Sequence, residues 1–184
     1  VGGGKWTRFT STVSDVAFGG ANGNLRLRGK SSKGTAVSDT NYSTISFGNT
    51  TAVSCTGDIR TLIDYKSYAS ANTENARFCY LFSGCTALST APELPAITLA
   101  DYCYNFMFTN CSSLTTAPEL PSMTLDVFCY AQMFQNCTSL KTAPALNAKT
   151  LVQSCYDKIF YNCPALENVT MLATNGFDTN WCLN

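Results

Sequence analysis

The sequence contains no histidine and few charged side chains. Lysine and arginine together number 12, aspartate and glutamate also number 12, and charged residues make up 13% of the 184-residue chain. A protein that binds phosphate backbones needs a basic surface, so this balance predicts that nucleic acid is not the partner. Without histidine the chain also lacks the commonest general base of enzymes that use a cysteine or serine nucleophile.

Long apolar runs are absent as well. None of them reaches the roughly 20 residues that are needed to cross a bilayer, so no membrane span is expected. Hydrophobic content is nevertheless 45%, which suffices for a substantial core in a chain of this length. Threonine, serine and asparagine are abundant. This composition is typical of secreted or displayed proteins, and it predicts an extracellular, cell-surface location.

What the sequence does contain is a repeat. Cysteine, leucine, tyrosine and phenylalanine recur at a step of 26 residues from about residue 75 onwards. One unit cannot bury its apolar face alone, whereas stacked copies can, so the repeat predicts a solenoid. Its predicted core consists of Cys85, Leu88, Cys103, Phe108, Cys111, Leu114, Cys129, Phe134, Cys137, Leu140, Cys155, Phe160, Cys163 and Leu166.

Apolar spacing within one unit predicts a helix followed by a short strand. From Thr98 to Cys111 the apolar residues stand four and three positions apart, as on one face of a helix. Thr98 and Asp101 have the spacing of a capping box. The stretch "SLTTAPELP" that follows predicts a strand of a few residues, since proline cannot donate a ladder hydrogen bond.

The repeat vanishes upstream, where the chain is rich in glycine, serine and threonine. Alternating stretches such as "NLRLRG" and "YSTISFG" predict half-buried strands joined by turns. "GDIRTLIDY" predicts a short helix capped by Asp58. The sequence therefore predicts a β-rich N-terminal domain at residues 1–57, and a solenoid with a short N-terminal capping helix at residues 58–184.

The tandem pattern "MFTNCSSLTTAPELPSMTL" resembles the BspA-like leucine-rich-repeat proteins of bacterial surfaces. The resemblance implies an α/β leucine-rich-repeat solenoid of 26-residue helix–strand repeats, preceded by the small β-rich domain. It also implies a noncatalytic recognition or adhesion module that binds a protein or glycan of a host or bacterial surface. No catalytic residue and no cofactor comes with it.

Ten cysteines invite three interpretations. A zinc site is not expected, because the repeats give Cys-x7-Cys without histidine, whereas zinc ligands typically come as closely spaced pairs. A nucleophilic cysteine would need a base and an electropositive setting, and neither is visible. Disulfides are the alternative to free, buried thiols. Cys103 and Cys111 would lie about 12 Å apart along a helix, which favours free thiols acting as small hydrophobic residues.

Positions that differ between copies are candidates for binding. In a solenoid the exposed residues are free to vary, and the positions that follow the strand leucine do vary. We predict a shallow polar surface for a protein or glycan ligand, formed by Ser89, Thr90, Thr115, Thr116, Lys141, Thr142, Glu167 and Asn168. By contrast, the repeated Tyr104, Tyr130 and Tyr156 favour core packing over a binding stripe, because they adjoin the apolar face.

Two rival functions stay open at this point. The first is a structural subunit of a surface filament, an appendage or a phage particle. A solenoid ending near Trp181 without a polar cap would expose an apolar edge, and this predicts self-association through the solenoid ends. The second is a glycan-binding module, which would be favoured if exposed aromatic residues such as Trp6 or Phe106 were clustered.

Overall fold

The computed structural model describes residues 25–47, 51–178 and 181–183. Its regular elements are few and short. Strand β1 spans Val53–Ser54 and strand β2 spans Leu88–Thr90, with 3-10 helices at Ile59–Leu62 and Tyr68–Ser70 between them. The two strands pair in parallel, with Val53 opposite Leu88. No helix in the described residues is long and apolar enough to cross a membrane.

The predicted fold class, an α/β leucine-rich-repeat solenoid, is wrong. The described residues contain no helix of seven or more residues and no sheet beyond the one formed by β1 and β2. Residues 98–111, for which the apolar spacing predicts a helix, form a series of tight turns. The β-rich character predicted for residues 1–57 is limited, among the described residues, to β1 and isolated bridges such as Ala36–Tyr42. Residues 1–24 and 48–50 lie outside the described residues.

Hydrogen bonds within these turns alternate between two directions. The N–H of Met107 donates to the carbonyl of Tyr104 at 3.1 Å, three residues back. The N–H of the next residue, Phe108, instead donates to the carbonyl of Met133 in the following repeat at 2.9 Å. An α-helix would send every N–H four residues back. Here, half of the donors link one repeat to the next.

The turns require a left-handed backbone at every fourth residue. In one repeat φ is 54° at Tyr102, 53° at Phe106 and 63° at Asn110. The same three positions have positive φ in the two repeats that follow, and Gly84 has φ 76° at the position equivalent to Asn110. A period of four residues is so close to the helical period of 3.6 that apolar spacings alone do not distinguish the two structures.

Equivalent side chains stack from repeat to repeat and form the core. The rings of Phe82, Phe108, Phe134 and Phe160 follow one another at 5.6, 5.6 and 5.7 Å between centroids. Such aromatic pairs contribute about 0.5–1.5 kcal/mol each beyond the burial of their area. The predicted core residues are buried, except that Phe160, Cys163 and Leu166 of the last repeat are half-buried.

The first repeat is covered by the chain that precedes it. The N–H of Thr35 donates to the carbonyl of Arg77 at 2.9 Å, and the N–H of Ile45 donates to the carbonyl of Leu81 at 2.6 Å. Asp58 caps the first 3-10 helix, as the sequence predicts, by accepting a bond from the N–H of Arg60 at 2.8 Å. Arg60 also forms an ion pair with Asp58. The domain boundary at residue 57 stays a prediction.

Candidate functional site

Six of the eight predicted binding residues lie on one side of the stack, which we call the polar face: Thr115, Thr116, Lys141, Thr142, Glu167 and Asn168. Thr116, Thr142 and Asn168 stand side by side through parallel bridges between successive repeats. Their neighbours Thr115 and Lys141 are joined by a bond of 2.9 Å from the N–H of Lys141 to the Thr115 carbonyl. All of these residues are exposed. The backbone ladder thus fixes their spacing while their side chains face solvent.

Glu167 adjoins Lys141 on the same face. Its N–H donates to the Lys141 carbonyl at 3.3 Å, and its side chain is exposed. Thr115, Lys141 and Glu167 therefore form one column, in which a hydroxyl, a cation and an anion follow one another. The adjacent column is uncharged, since it contains Thr116, Thr142 and Asn168.

The two remaining candidates lie beside β1. Thr90 is exposed and accepts a bond at 2.9 Å from the N–H of Cys55. Ser89 is half-buried, and its hydroxyl donates to the Val53 carbonyl at 3.1 Å, so it supports the backbone more than it offers a contact. Ser54 pairs with Thr90 and is exposed, and it is not among the residues that the sequence predicts. Ser54 lies upstream of the repeat, so no periodic signal could have identified it.

A column of cysteines forms hydrogen bonds between the turns of successive repeats. The thiol of Cys111 donates to the Phe82 carbonyl at 3.1 Å, and the thiol of Cys137 donates to the Phe108 carbonyl at 3.1 Å. The Phe108 carbonyl already accepts the N–H of Cys111 at 3.1 Å. A carbonyl oxygen has two lone pairs, so each thiol uses the second one. A small side chain with one weak donor fits this position.

All ten cysteines are free thiols. Burial raises the pKa of Cys85 to about 11 and the pKa of Cys103 to about 12. Burial also raises the pKa of Cys137 to about 12. A nucleophile or a metal ligand must be a thiolate, and these thiols are protonated at neutral pH. The described residues contain no group of three or more Cys, Asp or Glu side chains placed to hold a metal ion.

Aromatic rings form a second surface feature, on the side of the molecule built from turns. Tyr42, Tyr80 and Phe106 form one stack with centroid distances of 4.2 and 4.8 Å. Tyr102 and Phe128 form a second stack at 4.9 Å. The rings of both stacks are half-buried, apart from Tyr42, which is exposed. Phe106 is thus clustered with other aromatic rings, while Trp6 lies outside the described residues.

An open apolar recess lies beside residues 156–161. Tyr156, Ile159, Phe160, Tyr161 and Leu183 line a concave space of about 480 Å³. Tyr161 is 57% exposed and Leu183 is 41% exposed. Further exposed apolar side chains follow in the same part of the chain, namely Val169, Leu172, Phe177 and Trp181.

Comparisons of the chain with protein-family models, with curated proteins and with solved structures give no match. The likeness to BspA-like proteins therefore stays a prediction that rests on the repeat pattern alone.

Proposed function

We propose that the chain is a noncatalytic recognition module that binds a surface protein or a glycan through its polar face. The observation that carries this proposal is the register of Thr116, Thr142 and Asn168 on a backbone ladder with exposed side chains. Because the ladder already fixes the backbone spacing of these hydroxyl and amide groups, a ligand needs to order only their side chains.

Differences between copies support the same face. At equivalent positions the repeats carry Thr115, Lys141 and Glu167, so the face offers both signs of charge within one column. Charged and polar groups arranged in this way confer specificity more than affinity. An extended repeat array commonly binds across such a surface.

The aromatic stacks support a glycan platform less well. Sugars bind to the flat face of an aromatic ring, but both faces of Tyr80 are covered, one by Tyr42 and the other by Phe106. These stacks therefore present ring edges over most of their length. We place the ligand on the polar face, whether that ligand is a protein or a glycan.

We further propose that the module works outside the cell, at a cell surface. Free cysteine is uncommon in an oxidising environment. Here the thiols are withdrawn from solvent: Cys103, Cys111, Cys129 and Cys137 are 0% exposed. Burial and a raised pKa both slow oxidation, because the exposed thiolate is the reactive form. The cysteine columns are therefore compatible with an oxidising medium.

A binding assay on intact cells tests the proposal. Labelled protein is titrated onto epithelial and bacterial cells, before and after enzymatic removal of surface glycans or surface proteins. We expect saturable binding to at least one cell type. Thr142→Arg should weaken it by about tenfold or more, because a long cation in the middle of the polar face blocks close approach. The matched control is Gln132→Arg, which places the same side chain on the turn side of the molecule.

Retained binding by Thr142→Arg together with lost binding by Gln132→Arg would overturn the choice of face. Absence of saturable binding to every cell type would overturn the recognition function.

A structural subunit is the second candidate function. Exposed apolar side chains, such as Phe177 at 53% and Trp181 at 66% exposure, favour it. Monomeric proteins rarely expose large contiguous apolar patches. Light scattering over a concentration series separates the two candidates, since a recognition module stays monomeric and a structural subunit assembles with a fixed stoichiometry.

A further inference from the structure

The even balance of charge conceals an uneven distribution along the chain. Residues 1–77 contain nine of the 12 basic side chains and five of the 12 acidic ones, whereas residues 78–184 contain three basic and seven acidic side chains. The repeat region is therefore acidic on balance, and the chain that precedes it is basic. A surface with an excess of one charge attracts a partner of the opposite charge.

Five of the seven basic side chains that the structure describes before residue 78 belong to two segments that pair with each other. Four of them stand within residues 26–33. Lys66 joins them because the N–H of its neighbour Tyr65 donates to the Gly29 carbonyl at 3.2 Å. All five side chains are exposed. We call this group the basic patch, and it consists of Arg26, Arg28, Lys30, Lys33 and Lys66.

Gly29 sets the direction of the two cations that flank it. A Cβ atom at Gly29 would lie 2.0 Å from the carbonyl oxygen of Leu62, so glycine is needed for the chain to pass this close to the first 3-10 helix. The chain is extended here, since Lys30 forms an antiparallel bridge with Asp64. Successive side chains of an extended chain point to opposite sides, and Arg28 and Lys30 therefore point away from Leu62 into solvent.

Two contacts hold the patch in a defined position. The guanidinium of Arg28 lies 4.2 Å from the centroid of the Tyr65 ring, an arrangement in which the ring attracts the cation but does not neutralise it. The N–H of Ser31 donates to the Ile63 carbonyl at 2.7 Å and fixes the backbone beside Lys30. A cation that is already ordered loses less side-chain entropy when it binds a ligand.

Acidic side chains compensate the patch only in part. Within the described part of the chain, Lys30, Lys33 and Lys66 form no ion pair. The acidic residue opposite Lys30 is Asp64, and its carboxylate accepts the backbone N–H of Lys66 at 3.0 Å. Even with Asp64 included, the five cations leave the patch with a net positive charge.

We infer that the basic patch is a second binding site, separate from the polar face, for an anionic polysaccharide whose sulfate or carboxylate groups contact its cations. Guanidinium and ammonium groups form their strongest hydrogen bonds with such anions. Single-stranded nucleic acid fits less well, because it needs open rings for its bases to stack on, and Arg28 covers the face that Tyr65 turns to the patch. A bilayer surface fits less well because the patch is not part of an amphipathic helix.

The test uses the full chain and labelled dextran sulfate, with unmodified dextran of the same length as the uncharged reference. Fluorescence anisotropy should show saturable binding of dextran sulfate that weakens steeply as salt is added, and no binding of dextran. The double variant Lys30→Gln/Lys66→Gln removes two cations and should weaken binding by about tenfold. Both side chains are exposed, so the variant should fold, and circular dichroism checks that it does.

The matched control is Lys149→Gln/Lys158→Gln, which lowers the net charge by the same amount outside the patch and should leave binding unchanged. Equal weakening by the two double variants would overturn the site, because net charge alone would then explain the binding. Absence of saturable binding, or equal binding of dextran and dextran sulfate, would also overturn it. Tighter binding of single-stranded DNA or of phosphatidylserine vesicles at the same salt concentration would overturn the choice of a polysaccharide as the partner.

Discussion

Glycine substitutions at Gln132 and Gln135 distinguish the turn architecture from a helix. In the turn architecture they change the free energy of unfolding in opposite directions, whereas in a helix both lower it. Gln132 has φ 55°, whereas Gln135 is not among the residues with positive φ. Both side chains are half-buried. The same exchange can thus be made twice within one turn, once where the backbone is left-handed and once where it is not.

The magnitudes follow from backbone geometry. A left-handed conformation costs a non-glycine residue about 1–2 kcal/mol, and glycine adopts it freely. This gain is partly offset, because glycine makes the unfolded chain more flexible and thereby lowers the free energy of unfolding by roughly 0.4–1 kcal/mol. Gln132→Gly should therefore raise the free energy of unfolding by about 0.5–1 kcal/mol. Gln135→Gly has no strain to relieve and should lower it by about 1 kcal/mol.

Urea denaturation followed by far-UV circular dichroism measures both variants, with thermal unfolding as a second readout. For a chain of this size, 1 kcal/mol corresponds to about 2–4 °C in Tm. In a helix both positions would be interior, and each glycine would cost about 1 kcal/mol relative to alanine. Equal destabilisation by Gln132→Gly and Gln135→Gly would refute the turn architecture.

Three further outcomes are expected. Ellman's reagent should react with few thiols in the native state and with all ten after denaturation, because the columns are buried; rapid reaction of the native columns would contradict this. Thiol burial also predicts alkaline destabilisation. The folded-state pKa of Cys103 and Cys137 is raised to about 12, so their stabilisation is complete below about pH 9 and is lost as pH rises towards 12; a urea midpoint that is flat over that range would contradict it. Tyr130→Phe should raise the free energy of unfolding by about 1 kcal/mol, since the buried Tyr130 hydroxyl has no partner among the described residues. If urea denaturation instead shows that the free energy of unfolding falls by a similar amount, the hydroxyl is hydrogen-bonded.

The repeat carried most of what the sequence could predict about the core. A step of 26 residues places Cys111 beneath Cys137 and Phe108 beneath Phe134, whatever the local backbone is, because stacking depends on the period alone. For the same reason the repeat placed Thr116, Thr142 and Asn168 in one row. Register between copies can be read from one sequence, and the structure has these residues as neighbours.

The local backbone could not be read in the same way. Spacings of four and three residues suit a helix and a series of four-residue turns equally well. Asn110 and Gly84 are residues that favour positive φ, but Tyr102 and Phe106 at the other two left-handed positions of the repeat conceal the signal. Bulky residues rarely adopt this conformation. Their rings stack on neighbouring repeats, which offsets part of the strain, and such stacking is visible only once the fold is known.

Features created by the fold as a whole lay beyond the sequence. In the turns, every second N–H points towards the following repeat, and no residue type encodes this direction. Ser54 pairs with Thr90 through β1, outside the period. Both depend on long-range pairing, and periodicity within the repeats does not report it.

The most direct test of the architecture is the scalar coupling that is transmitted through hydrogen bonds in the NMR spectrum of the labelled protein. The account predicts a correlation between the backbone nitrogen of Phe106 and the carbonyl carbon of Ala131, 25 positions further along the chain. A correlation from Phe106 to the carbonyl carbon of Tyr102, four residues back as in an α-helix, would contradict it.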